Sequence, residues 1–268
     1  MLGGLARRVS LVEKLKDEGK PVLVVDSGNL FTDMRAGVDN KRSITRAQLI
    51  SRTYKHMGVA AINVGAFDLV QGLAFLRNEA SRGVPLISSN LVEPSRKMPI
   101  FRPYIVKTVN KTRIAFFGLL SPAVNPAIQK IEGEKFLVKD PVETARAVLD
   151  KLRGRADVII LLSALDSNGE REVVKAVSGI HFVLGGHEGG YIQTPVWERQ
   201  TPILESYRNG MYAGKLQLRF ANATSLFQDE QKGKGDNSFF WTLIPLDNSL
   251  PEDKVVSEWI RKAGLERD

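Results

Sequence analysis

The sequence predicts a mixed α/β fold: two sheets forming a sandwich with helices outside. Two observations carry this. Helix and strand patterns alternate through the first two thirds of the chain, and the last third is almost entirely antiparallel strand pattern. A hairpin-like insertion lies between the two regions. The 268 residues are 43% hydrophobic and 25% charged, enough to bury a core without cross-links.

Taken in order, Leu5, Val9, Val12 and Leu15 recur at helical spacing up to Gly19. PVLVVDSG (21–28) is a β-branched apolar run and reads as a buried strand. A loop rich in Gly, Asp and Asn covers 32–43, and Ser43 or Thr45 is the expected cap of a helix through Met57, stopped by Gly58. AAINVG (60–65) reads as a strand and 67–80 as a helix carrying Leu69, Val70, Leu73, Leu76 and Ala80. VPLISSNL (84–91) is a third strand. YIVKTVN and RIAFFGLL flank Lys111-Thr112 as a hairpin.

Pro141 opens an amphipathic helix over 141–153, and ADVIILLSAL (156–165) is the strongest strand pattern in the chain. A helix over 168–178 leads into HFVLGG (181–186). Only strands are expected from Thr194 onward until a final helix at 251–263, which could also begin a linker to a further domain. QKGKGDN (231–237) is a loop between strands, so the whole of 1–268 is expected to be one domain.

Composition excludes several chemistries. There is no cysteine, hence no disulfide, thiolate zinc site or cysteine nucleophile. Only His56, His181 and His187 supply imidazole. The net charge of +8 is scattered, which argues for a solvated basic surface rather than a nucleic-acid face. There is no apolar run of membrane-spanning length and no visible signal peptide.

In α/β folds the loops at strand ends converge and carry sites. Here those loops are DSGNLF (26–31), NVGAFD (63–68), LSALDS (162–167), GGHEGG (185–190) and ESYRNGMYAG (205–214). With GGLARRV (3–9) before them and PLDNSLPED (245–253) after them, their order resembles the catalytic domain of the 5'-nucleotidase family of calcineurin-like metallophosphoesterases. The resemblance covers nearly the whole chain. It implies a four-layer α/β/β/α sandwich and an exported, periplasmic location. It also implies two divalent ions, zinc or manganese, that polarise a phosphate ester and generate the attacking hydroxide.

The chain departs from the family at nearly every ligand that the resemblance implies. The family's first strand, with its D-x-H motif, has no counterpart. The bridging aspartate is Asn29, the ligand asparagine is Ala66 and the catalytic histidine is Phe67. The histidine of L-S-H is Ala164, and the second histidine of G-H-x-H is Gly189. His187 alone remains in place. Asn29 also reads as a turn residue after Gly28, and Asp68 as an acid at a helix N-terminus. Asp26 ends a strand and is structural in the family's pattern.

Three readings follow. The first is an inactive phosphoesterase scaffold with a binding or assembly role, holding no metal cofactor. The second is an active, metal-dependent nucleotidase. The third is a binder of nucleotides or other phosphate-bearing small molecules through Arg208 near His187. The missing first strand is expected to reflect either a chain cut short at its N-terminus or a rearrangement, with the unpaired sheet edges closed by flanking strands or by self-association.

Overall fold

The structure, a computed structural model, describes residues 3–32, 40–124, 136–186, 193–207, 210–233 and 235–266. Among them are helices α1 (Leu5–Asp17), α2 (Asn40–Met57), α3 (Leu73–Ser81), α4 (Pro141–Leu152), α5 (Ser167–Ala176) and α6 (Lys254–Lys262).

A six-stranded sheet forms the middle of the molecule. Its order is β10 (Val196–Glu198), β11 (Thr201–Glu205), β9 (Phe182–Gly185), β8 (Val158–Ala164), β6 (Thr112–Leu120) and β5 (Tyr104–Val109). All seven residues of β8 are buried because both faces are covered. Ile159 and Leu161 pack with Val148, Leu152 and Val173 of α4 and α5, while Val158, Ile160 and Leu162 pack with Phe239 and Trp241. That period-two division is what a strand between two layers requires.

The second layer of strands holds two three-stranded sheets. One is β1 (Val25–Asp26), β2 (Ala61–Asn63) and β3 (Leu86–Ile87); the other is β12 (Tyr212–Arg219), β14 (Asn237–Pro245) and β13 (Phe227–Asp229). Two further short strands, β4 (Leu91–Val92) and β7 (Leu137–Val138), pair antiparallel. Helices α1, α2, α3 and α6 cover this layer through Val9, Tyr54, Leu76 and Val256. The result is the expected four-layer α/β/β/α sandwich.

Local differences from the sequence reading have physical causes. The helix expected over 67–80 is a 3-10 turn, Asp68–Gln71, then α3, divided at Gly72 with φ 84°. The expected strand over 84–91 is two strands in different sheets. Helix α2 begins at Asn40, so Ser43 and Thr45 lie inside it, and the Thr45 hydroxyl donates to the Lys41 carbonyl at 2.9 Å. The hairpin turns one residue earlier than expected. Asn110 and Lys111 both have positive φ, 47° and 70°, which suits the right-handed twist of two paired strands. β13 is a short strand within the stretch where only strands are expected, and it pairs parallel, not antiparallel, with β14.

The largest difference is at 21–28. Only Val25 and Asp26 are strand, and residues 22–30 are half-buried. A cavity of about 1980 Å³ explains this. Every residue from Lys20 to Thr32 and from Tyr212 to Phe220 borders it. Consecutive residues of a strand can all border one space only where that space meets the strand's edge. Ile114, Phe116, Val158, Ile160 and Leu162 form its floor, and α1 roofs it through Leu11, Val12 and Leu15. Within the described residues β1 and β12 are terminal strands of their sheets. The flanking strands therefore do not close over this space.

Candidate functional site

The loops after β1, β2 and β9 meet at one end of the strands. Asp68 joins the first two. Its side chain is fully buried, and its carboxylate accepts backbone N–H groups from Asn29 (2.9 Å), Phe31 (2.8 Å) and Gly65 (2.8 Å). Burial pushes this carboxyl up to about pH 6, while the three amides pull the other way. Asp68 is thus a structural acid, engaged with main-chain amides rather than facing a bound ion.

Asn29 sits in the left-handed region, φ 59°, which asparagine tolerates better than most residues. Its carboxamide oxygen accepts the Phe67 amide N–H at 2.9 Å. The two loops approach so closely that a Cβ on Gly65 would lie 2.2 Å from the Asn29 oxygen. Buried Asn63 completes the join, donating to the carbonyls of Ser27 (3.2 Å) and Leu119 (2.9 Å).

Beneath the loops, Asp26 accepts the Tyr54 hydroxyl at 2.7 Å and the Gly28 amide at 3.0 Å, and Arg8 donates to the Tyr54 oxygen. Burial raises the Asp26 carboxyl and the neighbouring Arg8 charge opposes that rise. This links α1, α2 and β1 beside the cavity. Sequence reasoning did not foresee the chain of contacts; the adjacent arginines in GGLARRV were the available signal.

Among the described residues, the positions that the resemblance marks as ligands form no comparable set. Ala66 packs against the apolar core, and Ala164 is buried at the end of β8. The half-buried Phe67 ring borders the cavity. His187, Gly189 and Arg208 lie outside the described residues. Methyl and phenyl groups supply no donor atom, and a neutral carboxamide that holds a backbone amide is a poor bridge between two cations. The residues described here do not fit a dinuclear metal centre. His181 is structural: it is largely buried, and its Nδ1 accepts the Ile159 amide at 3.0 Å.

The layers and converging loops define a calcineurin-like metallophosphoesterase fold. No protein-family model matches the chain. Among solved structures, the sulfate thiohydrolase SoxB of Thermus thermophilus superposes with a TM-score of 0.81 at 18% identity, over 98% of this chain and 46% of that one. A 5'-nucleotidase precursor from the same organism gives 0.76 at 20% identity, over 98% and 53%. By sequence, the chain is 24% identical to a 5'-nucleotidase of Diplobatis ommata over 97% of its own length and 46% of the relative's. It is also 24% identical to a 2',3'-cyclic-nucleotide 2'-phosphodiesterase/3'-nucleotidase of Salmonella typhimurium, over 69% and 32%. Fold and sequence relatives agree on the 5'-nucleotidase and calcineurin-like phosphoesterase group. The chain spans about a third to a half of the length of these curated relatives.

Proposed function

We propose that this chain is a 5'-nucleotidase-type scaffold that binds rather than cleaves, its two-metal hydrolytic centre having been given up. One observation carries the reading. At the bridging position the Asn29 side chain holds the Phe67 amide, so that residue serves the loop and not an ion. Ala66, Phe67 and Ala164 support it, since none offers an oxygen or nitrogen donor from its side chain. A nucleotide or another phosphate compound is the proposed class of ligand, following the names of the relatives. An exported location is part of the same proposal.

The experiment is metal analysis of the purified chain beside an assay with nucleoside monophosphates and a chromogenic phosphate ester. We expect no stoichiometric zinc or manganese pair bound through Asn29 and His187, and turnover indistinguishable from buffer. Two bound ions lost on His187→Gln, together with robust hydrolysis, would overturn the proposal.

A further inference from the structure

Away from the loops, three helices bring metal-ligating groups together at the surface. Glu13 of α1, His56 in the last turn of α2, and Asp253, the N-cap of α6, each place a ligand atom within 4.8 Å of the other two. The three come from segments far apart in the chain, so the grouping is a product of the fold.

Two features mark this group as more than scattered surface charge. The first is electrostatic. Two carboxylates at this separation repel each other, and several basic side chains of the same helices engage other groups. Arg7 pairs with Glu252 at 3.1 Å, the Lys16 ammonium donates to the Met57 carbonyl at 2.9 Å, and Arg52 lies 3.7 Å above the Trp259 ring. Among the described residues, neither Glu13 nor Asp253 has a lysine or arginine ion-pair partner. On a chain of net charge +8, a pair of carboxylates left to each other is a place where a cation is favoured.

The second feature is positional restraint. Asp253 uses one carboxylate oxygen to accept the Val256 amide at 2.7 Å, which fixes the group and leaves the other oxygen for a ligand. The His56 ring meets Trp259 edge-on with centroids 5.4 Å apart, so the imidazole is steered by packing even though it is exposed. A triangle with sides of at most 4.8 Å has its centre within about 2.8 Å of each corner. Zinc needs about 2.0–2.2 Å to nitrogen and oxygen, and small rotations of the Glu13 side chain close that gap.

We infer that Glu13, His56 and Asp253 form a site for one divalent transition ion, of the zinc class, which fastens α1, α2 and α6 together. The imidazole selects such ions over magnesium and calcium, which favour all-oxygen ligands. Three protein ligands leave a coordination position for water. The inference does not rest on the functional reading above, because it uses none of the loop residues.

The test uses the full chain stripped with a chelator, then titrated with zinc alone and, separately, with magnesium and calcium. Binding is read by calorimetry, by melting temperature and by the His56 ring nitrogen shifts in NMR. We expect one zinc per chain, a melting temperature higher by about 5 °C at saturation, and no comparable rise with magnesium or calcium. His56→Gln and Glu13→Gln should each weaken binding by at least about tenfold. Asp253→Asn removes the charge but keeps a capping side chain, so it should weaken zinc binding while the stripped protein stays folded. His187→Gln should change nothing. Absence of binding at sub-millimolar zinc would overturn the inference. So would zinc binding that folded Glu13→Gln and His56→Gln proteins retain in full, or that His187→Gln abolishes.

Discussion

The carboxylate of Asp68 accepts the backbone N–H of Phe31 at 2.8 Å, across 37 positions of sequence and inside the molecule. With the amides of Asn29 and Gly65, it makes one side chain the meeting point of two loops. Removing it as Asp68→Ala leaves three buried donors without their acceptor. We expect a loss of about 3 kcal/mol in denaturant unfolding, and a smaller loss for Asp68→Asn, which retains one acceptor oxygen.

Asp68 also gives stability a pH dependence. Its folded-state value of about 6 lies above its ordinary value of 3.8, so between these limits the folded chain holds the proton more tightly than the unfolded chain. This group therefore stabilises the fold most at low pH, and its contribution falls as pH rises through that window. The Asp68→Asn difference in unfolding free energy, followed from pH 4 to 7, should vary in that window; a flat difference would refute the assignment.

His181 acts with the opposite slope. Burial lowers its value below the usual 6.5, so the folded chain holds it neutral while the unfolded chain protonates it on acidification. Its contribution is present above pH 6.5 and is lost as pH falls below it. A His181→Phe variant should lose this acid sensitivity. NMR of the native protein should show the His181 ring staying neutral to a lower pH than a free imidazole does.

Gly65 is required by proximity. A Cβ there would lie 2.5 Å from the Asn29 backbone nitrogen as well as 2.2 Å from the side-chain oxygen. Gly65→Ala should cost about 2–4 kcal/mol and separate the two loops. Chemical shifts of Asn29 and Phe67 should move together; unmoved shifts with full stability would contradict the close approach.

The cavity edge predicts an alternating exchange pattern. β12 pairs antiparallel with β14 from Tyr212↔Pro245 to Arg219↔Ser238, so every second amide points to β14 and the others toward the cavity. Hydrogen exchange should alternate slow and fast along Tyr212–Arg219, while Ile160–Leu162 of β8, paired on both sides, are slow throughout. Uniform protection along β12 would mean that something pairs with its outer edge.

Much of this fold was legible because its signals are local. Pro141 after the capping Asp140, whose carboxylate accepts the Glu143 amide at 2.8 Å, marks the start of α4 unaided. The apolar run of β8 marks a strand covered on both faces. Asn29 was readable as a turn residue, and its positive φ agrees. The short extent of β1 was not legible, because PVLVVDSG has the composition of a buried strand and what it lacks is a neighbour. The three amides on Asp68 were hidden for the same reason: two of the donors, Asn29 and Phe31, lie on a loop far from it in sequence. The departures at Ala66, Phe67 and Ala164 showed only against the family resemblance, since alanine and phenylalanine carry no signal of what they replace.

The space bordered by β1 and β12 has a thermal consequence. The space is wide enough for water and is bordered by polar as well as apolar side chains, so it is hydrated rather than void. Apolar surface already wetted in the folded state adds nothing on unfolding, so the half of the molecule beneath α1 should contribute less to the heat-capacity change than the densely filled layer around β8.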